Sequence, residues 1–180
     1  MITIQSEPLP GIFILNTINF QDLRGNFFKI YNQDNFKKIG IKFNPKEYFF
    51  SSSKLNVIRG MHFQNGEFAH DKLVFCSYGK ILDVIVDVRI NSKYFNKPYS
   101  IELEGDPLKA IYISKGYAHG FLSLSNPSIV HYFTNKEYNP EADKGVLWDS
   151  INFRWPIAKP LISERDEKHL NIDDIKCEFF

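Results

Sequence analysis

The sequence predicts a mainly β protein, built as a sandwich or barrel with short peripheral helices. Aromatic residues, which favour pleated and half-buried surfaces, make up 16% of the 180 residues. From Glu47 onwards, short apolar or alternating runs recur between turn residues, and this spacing is typical of an all-β sandwich or barrel. No linker or repeat interrupts the chain, so we expect one domain over 1–180 with its own hydrophobic core.

The N-terminal third is predicted to contain two extended segments and a helix. A strand is expected over Gly11–Phe20, a turn at Gln21-Asp22 and a second extended run over Phe27–Tyr31. A short helix is expected over Asn32–Ile39, because an aspartate lies early in it, lysines lie late and Gly40 follows.

The rest of the chain is predicted to be mostly strands. A short C-terminal helix is expected to start at Ser163, with Ser163 as its N-cap and Asp166 at the third helical position. The predicted strands are Glu47–Ser53, Val57–Gln64, Lys72–Ser77, Lys80–Arg89, Tyr99–Leu103, Ala110–Ile113, Gly120–Leu124 and Ile129–Thr134.

The strand over Lys80–Arg89 has the clearest alternation. Four aliphatic residues share one face, and the other face carries Asp83, Ile85, Asp87 and Arg89. The second face has three charges, so we expect it to point into water, a polar cavity or a partner.

Charge, hydropathy and cysteine content exclude several protein classes. The 22 basic and 21 acidic residues give a net charge of +1, which argues against nucleic acid as a partner. No apolar run approaches the roughly 18–20 residues of a membrane span, and the first residues do not resemble an export signal. Two cysteines do not form a disulfide scaffold. We therefore expect a cytoplasmic protein without a membrane or nucleic-acid partner.

The histidines do not form a recognisable metal motif. Metal-binding jelly-roll proteins usually carry a His-x-His pair, a glutamate and a further histidine, but Gln64 stands two residues after His62. His119 is then the obvious second imidazole, and two imidazoles without a clear third ligand make a poor zinc or iron site. No metal is therefore expected. Glycine-rich nucleotide-binding loops and the serine hydrolase motif are also missing from the sequence.

The remaining polar residues fit proton transfer at a carbon next to a carbonyl. This chemistry needs a base, a group that stabilises the enolate oxygen, and an acid that returns a proton. Arginines would suit a diphosphate, which they can bind through two hydrogen bonds each. The candidate set is His62, Lys72, Tyr132, Asp166, Arg24 and Arg59. Each residue alone also fits an ordinary structural role, such as a solvated lysine or a strand aromatic.

The chain resembles the dTDP-4-dehydrorhamnose 3,5-epimerases over nearly its whole length, roughly Gly11 to Asp166. The matching segments occur in family order and are together highly specific. They are Asp22-x-Arg24-Gly25-x-Phe27, Arg59-Gly60-Met61-His62-Phe63-Gln64, Lys72-Leu73-Val74, Asp83-Val84-x-Val86-Asp87-x-Arg89, Gly116-Tyr117-Ala118-His119-Gly120-Phe121, Tyr138-Asn139-Pro140, Lys144-Gly145, Trp148, Trp155-Pro156 and Ser163-x-x-Asp166.

The resemblance implies catalytic roles for four residues. His62 would remove the proton next to the 4-keto group, and Asp166 would orient His62. Tyr132 would deliver a proton from the opposite face, and Lys72 would stabilise the enolate oxygen.

The resemblance also implies a binding set, a fold and an assembly. Arg59 and His119 would contact the diphosphate, Tyr138 would stack on the base, and Asp143 and Arg165 would contribute to substrate binding. The implied fold is a cupin-type jelly-roll β-barrel in a homodimer. The N-terminal strands would be exchanged with the partner, so that Arg24 reaches across to the partner's site. The family uses no cofactor.

Two departures from the family concern the nucleotide. Lys29 stands where the family usually has an acidic residue that helps to read thymine, and Glu47-Tyr48-Phe49 replaces a Gln-Asp-Asn stretch. The carboxylate of Glu47 could accept hydrogen bonds from guanine. We therefore predict a GDP-linked 4-keto-heptose or deoxyheptose as substrate, in the synthesis of surface polysaccharide.

Several alternatives remain open at the level of sequence. The first is a dTDP-4-keto-6-deoxyglucose 3,5-epimerase of rhamnose biosynthesis, in which the departures are neutral drift. An enzyme acting at C3 or C5 alone is equally compatible with the motifs. The alternative from another class is a jelly-roll carbohydrate-binding module without catalysis.

Overall fold

The computed structural model describes residues 1–177 and 179, and it confirms the mainly β fold. The strands are β1 (Thr3–Leu9), β2 (Ile12–Asn16), β3 (Ile18–Asp22), β4 (Gly25–Lys29), β5 (Glu47–Ser53), β6 (Ile58–Gln64), β7 (Lys72–Tyr78), β8 (Lys80–Asp87), β9 (Pro98–Glu104), β10 (Lys109–Ile113), β11 (Tyr117–Ser123), β12 (Ser128–Thr134) and β13 (Asp143–Gly145).

Two antiparallel sheets form the barrel. The six-stranded sheet has the order β1-β2-β10-β7-β12-β5, and the five-stranded sheet has the order β13-β6-β11-β8-β9. Most neighbours in each sheet are distant in sequence, which is the pattern of a jelly roll rather than of a simple meander. β3 and β4 form a separate hairpin.

The hydrophobic core has three layers. A central cluster between the two sheets includes Ile14, Val74, Ile85 and Phe121. The C-terminal segment, with Trp155 among its buried residues, covers the outer face of the five-stranded sheet. The short helix covers the outer face of the six-stranded sheet. Both faces of each sheet are thus largely covered, which explains the high aromatic and aliphatic content of the chain.

The N-terminal region differs from its prediction. The strand expected over Gly11–Phe20 is interrupted at Thr17, whose hydroxyl donates to the carbonyl of Leu108 at 2.9 Å. The chain therefore leaves the sheet and forms the β3–β4 hairpin, whose turn follows Asp22 rather than lying at Gln21-Asp22. β1, which was not predicted, pairs with β2 in the chain's own sheet.

The helix α1 (Gln33–Lys38) lies where it was predicted. The side chain of its N-cap Asn32 accepts a hydrogen bond from the backbone N–H of Asn35 at 3.0 Å. The predicted C-terminal helix is reduced to one 3₁₀ turn, Asp166–Lys168. The expected N-cap at Ser163 is wrong, because Arg165 is the N-cap and Asp166 begins the turn. The Ser163 hydroxyl still accepts from the Asp166 N–H at 3.2 Å. Among the described residues, no helix is long and apolar enough to span a membrane.

The charged face of β8 points into the barrel. Asp83 and Asp87 are fully buried. Asp87 is paired with Arg89 at 2.6 Å, whereas Asp83 contacts His119 in the interior. Asp83 therefore lies in the barrel interior, paired with a histidine, and not in water. The aliphatic face of the strand packs under the C-terminal segment.

Gly60 allows β6 and β11 to approach closely. Its φ of +136° lies in a region that L side chains rarely adopt, and a Cβ there would lie 2.5 Å from the Cα of Gly120. In the same strand pair, His62 stands opposite His119. The close approach therefore determines how both imidazoles enter the barrel.

Candidate active site

A cavity of about 320 Å³ lies between the two sheets and contains most of the predicted site residues. One side of its wall is formed by the six-stranded sheet, through β5, β7 and β12. The other side is formed by the five-stranded sheet, through β6, β11 and β13. The predicted residues that line it are Glu47, Arg59, His62, Lys72, His119, Tyr132, Tyr138, Asp143 and Arg165.

His62 is held by Asp166, as the sequence predicts. The Nε2 atom of His62 lies 2.8 Å from Oδ1 of Asp166, and Oδ2 of Asp166 accepts from the backbone N–H of Gly60 at 3.1 Å. Asp166 is buried and begins a 3₁₀ turn, and its backbone N–H donates to the Ser163 hydroxyl. With Nε2–H donating to the carboxylate, Nδ1 of His62 carries the free lone pair.

The electrostatic surroundings favour a neutral, basic His62 beside an ionised Asp166. Burial lowers the pKa of His62 and outweighs the opposite effect of Asp166, so the imidazole is unprotonated at neutral pH. Burial alone would raise the pKa of Asp166, but the neighbouring imidazoles of His169 and His62 hold it well below its usual range. A neutral histidine backed by a carboxylate is a competent general base.

Lys72, the first residue of β7, lines the same cavity as His62. Its Nζ atom donates to the carbonyl oxygen of His62 at 3.0 Å. Burial lowers the pKa of Lys72 to about 8, although Asp143 and Asp83 act in the opposite direction. The ammonium form is therefore the main form at neutral pH and can stabilise a developing oxyanion.

The depressed pKa of Lys72 predicts an alkaline limit to catalysis. A lysine with a pKa of about 8 is charged below that pH and neutral above it. We expect kcat/KM for a 4-keto sugar nucleotide to fall as the pH rises through about 8, and a pH profile from 6 to 10 measures this. In Lys72→Arg, which keeps its charge, the alkaline decline should disappear. A wild-type profile that stays flat up to pH 9.5 contradicts the role.

Tyr132 faces the cavity from the sheet opposite His62. It lies on β12, stacks on Phe49 with ring centroids 4.8 Å apart, and its hydroxyl lies 3.4 Å from Oγ of Ser51. Burial raises the pKa of Tyr132 well above that of a free tyrosine. The phenol therefore keeps its proton at neutral pH and is available as an acid on the far wall.

His119 is fixed by a second buried carboxylate. Its Nε2 atom lies 2.7 Å from Oδ2 of Asp83, and both side chains are almost completely buried. The other oxygen of Asp83 has no partner in the described part of the chain. From the sequence, Asp83 was placed on a charged strand face and was given no role in the site. Its alternation with the valines of the same strand was the one sequence feature that indicated an unusual environment.

The rim of the cavity is a network of polar contacts. Arg165 pairs with Asp143 at 2.6 Å, and Asp143 also accepts from the hydroxyl of Tyr138 at 3.2 Å. Glu47 accepts from the backbone N–H of Tyr138 at 3.0 Å. Arg59 is oriented by Ser53 on β5, which its Nε atom contacts at 2.9 Å. These contacts leave Tyr138 exposed at the entrance, where a base could stack on it.

Arg24 and Lys29 do not line this cavity. Both belong to the β3–β4 hairpin region. The guanidinium of Arg24 is 90% exposed and pairs with Asp22 at 2.6 Å. A role for Arg24 in a partner's site stays a prediction that a single chain does not test.

Next to Asp166, sequence reasoning missed His169. Its Nε2 atom lies 3.5 Å from Oδ1 of Asp166, and its ring meets that of His62 edge to face. No sequence motif includes His169. Its position three residues after Asp166 was the one sequence feature that indicated closeness to that carboxylate. His169 is thus a further imidazole near His62, in addition to His119, which stands opposite His62 in the β6–β11 pair.

The cluster of His62, Asp166 and His169 is also the closest approach to a ligand set for a metal. Their donor atoms all lie within 4.8 Å of one another. However, Oδ1 of Asp166 already accepts from His62. A metal ion would have to displace the hydrogen bond that orients the base, so these residues fit proton transfer better than metal binding.

Known proteins similar to this chain are sugar-nucleotide epimerases. A family model described as dTDP-4-dehydrorhamnose 3,5-epimerase matches residues 6–174. The dTDP-4-dehydrorhamnose 3,5-epimerase of Escherichia coli K12 is 40% identical over 179 residues, which cover 97% of this chain and 96% of the relative.

Solved structures give the same result. The dTDP-4-dehydrorhamnose 3,5-epimerase of Bacillus anthracis, with TDP and PPi bound, is 31% identical with a TM-score of 0.91 and covers 94% of this chain and 98% of its own. The dTDP-6-deoxy-D-glucose-3,5-epimerase of Legionella pneumophila, in complex with dTDP-4-keto-L-rhamnose, is 25% identical with a TM-score of 0.93. The match covers 100% of this chain and 99% of the Legionella chain. The expected jelly-roll fold is confirmed.

Proposed function

This chain belongs to the dTDP-4-dehydrorhamnose 3,5-epimerase family, and on that premise we propose that it inverts C3 and C5 of dTDP-4-keto-6-deoxyglucose. The observation that carries the proposal is the placement of His62 and Tyr132 on opposite sheets of one cavity, with Lys72 also lining it. A base on one side and an acid on the other are what inversion of a carbon centre requires.

The chemistry follows from the acidity that a ketone confers on its neighbours. The C4 carbonyl acidifies the hydrogens at C3 and C5. His62 removes one of these protons and becomes an imidazolium, which Asp166 stabilises across 2.8 Å. The electron pair moves to the C4 oxygen, where the Lys72 ammonium stabilises the enolate. Tyr132 then gives its proton to the opposite face of the same carbon, and the carbonyl re-forms. The His62 imidazolium then loses its proton and the Tyr132 phenolate regains one, each by exchange with solvent, before a flip or re-docking of the sugar ring presents the second carbon.

Thymidine is a better candidate for the nucleotide than the guanosine expected from the sequence. The relative from Bacillus anthracis holds TDP, and the relative from Legionella holds dTDP-4-keto-L-rhamnose. Glu47, which was expected to read guanine, already accepts the backbone N–H of Tyr138. Lys29 lies outside the cavity that would hold the sugar. The guanosine hypothesis therefore has less support than its thymidine alternative.

The diphosphate site is proposed to include Arg59 and His119, with Tyr138 stacking on the base. A homodimer would add Arg24 from the second subunit. The exposed hairpin that carries Arg24 also presents Phe20 and Phe27 to solvent. Such aromatic exposure on a hairpin that pairs with no other strand among the described residues supports a partner chain at this surface.

Paired binding and turnover measurements test this proposal. We expect dTDP to bind in isothermal titration calorimetry and GDP to bind far more weakly. NMR of the product from dTDP-4-keto-6-deoxyglucose should show inversion at both C3 and C5. Inversion at one carbon only would replace the proposal with a mono-epimerase. Tight GDP binding without dTDP binding would restore the guanosine hypothesis.

A further inference from the structure

The imidazole of His169 occupies a place next to the catalytic pair that the mechanism above does not use. Its Nε2 atom is 3.5 Å from Oδ1 of Asp166, the same oxygen that His62 Nε2 contacts at 2.8 Å. The rings of His62 and His169 lie 5.5 Å apart with an interplanar angle of 79°. One carboxylate oxygen is thus shared by two imidazole nitrogens.

The backbone holds the ring of His169 in this place. Gly145, which stands opposite His62 in the β13–β6 pair, has no side chain, and a Cβ there would collide with the ring of His169. The next residue along is also fixed, because the carbonyl of Leu170 accepts from the Leu147 N–H at 2.8 Å. The side chain of His169 is 12% exposed. The ring therefore has little freedom to turn away from Asp166.

The groups around His169 leave Asp166 as its polar partner on the catalytic side. Its Nε2 atom is buried and has no hydrogen-bond partner within the described residues, so its 3.5 Å approach to Oδ1 of Asp166 is a polar contact and not a formed hydrogen bond. On its other side lies a shallow hollow whose charged and titratable residues are Asp143, Lys144, Lys168, Asp174, Lys176 and Cys177. The charges of the aspartates and lysines in this hollow partly cancel. Asp166 is therefore the charged group that faces the His169 ring directly.

From this arrangement we propose that His169 is a positioning residue, which steadies Oδ1 of Asp166 against Nε2 of His62 through the close polar contact of its own Nε2 atom with that oxygen. The proposal rests on the proposed function for its catalytic consequence. A second polar group beside this oxygen limits its movement, so the His62 imidazole keeps the hydrogen bond that fixes its orientation in the cavity. The neighbouring imidazole of His169 also offsets part of the negative charge of Asp166, which moderates the basicity of His62.

His169→Phe removes the donor while keeping a flat ring, and His169→Gln keeps a donor near the original position. We expect His169→Phe to lower kcat about fivefold, within the range of a typical net polar interaction, with an unchanged Kd for dTDP. The acidic limb of kcat/KM should move to higher pH, because an unshared Asp166 charge stabilises the His62 imidazolium. His169→Gln should restore both. Lys168→Gln, on an exposed neighbour, is the matched control and should behave as wild type.

Titration of the His62 ring by NMR, in ¹⁵N-histidine-labelled protein without ligand, tests the contact independently of turnover. The pKa of His62 should be higher in His169→Phe than in wild type and should return in His169→Gln. An unchanged pKa and kcat in a folded His169→Phe overturns the positioning role, as does an equal loss in both variants. A wild type that is inactive on the dTDP sugar, but shows the expected NMR shifts, defeats the proposed function and not the contact.

Discussion

Replacing His62 with asparagine should abolish solvent exchange at both C3 and C5 of the 4-keto sugar while leaving the fold intact. One imidazole serves as the base for both carbons, so a single change removes both reactions. Asparagine is smaller and polar, and the buried carboxylate of Asp166 keeps the backbone N–H of Gly60 as a donor. The expected loss is on the order of 10³- to 10⁴-fold, the upper range for removing a general base.

The measurement is deuterium incorporation from heavy water into dTDP-4-keto-6-deoxyglucose, followed by NMR at each carbon. His131→Asn is a matched control, because His131 contacts Tyr48 and Ser77 and does not line the cavity. The control should exchange at the wild-type rate. Exchange at either carbon that persists in a folded His62→Asn protein would show that another group removes that proton.

Tyr132→Phe should separate the two halves of the reaction. Proton removal by His62 does not need the hydroxyl of Tyr132, so deuterium should still enter the substrate. Return of a proton from the far face does need it, so formation of the inverted product should fall by roughly 10²-fold or more. The stacking on Phe49 should be retained in the variant, and within the described residues the hydroxyl makes one hydrogen bond, the long contact with Ser51.

Parallel NMR assays of exchange and of product stereochemistry test this separation. Tyr99→Phe is the control, since Tyr99 packs against the central core without lining the cavity. Inversion by Tyr132→Phe at the wild-type rate would mean that the acid is a different group. Loss of exchange together with inversion would mean that the hydroxyl already assists proton removal.

The sequence predicts the strands well where local pattern and tertiary structure agree. The strand over Glu47–Ser53 is reproduced residue for residue, and the helix after Asn32 is placed by its cap. The prediction fails where the tertiary structure overrides the local pattern. The apolar run after Gly11 is broken at Thr17 by a side-chain contact with Leu108, 91 residues away, and nothing in the local residues indicates this break.

The candidate site is predictable to a similar extent. The motifs identified His62, Lys72, Tyr132 and Asp166, and the structure places all four at one site. A resemblance to a family's motifs does not reveal side-chain contacts that depend on the local backbone conformation of this chain. His169 reaches Asp166 because a one-turn 3₁₀ segment ends there and because Gly145 leaves space for its ring. Glu47 likewise is engaged by Tyr138, a pairing across 91 residues that the sequence pattern does not indicate.

Solvent isotope exchange by the wild-type protein is the most direct test of the central claim, that a histidine removes protons beside a sugar ketone. With dTDP-4-keto-6-deoxyglucose in heavy water, we expect deuterium at C3 and C5, and product whose inverted carbons carry solvent deuterium. Binding of the nucleotide sugar without any exchange would identify a non-catalytic binding protein. Inversion without deuterium at the inverted carbons would contradict proton abstraction altogether.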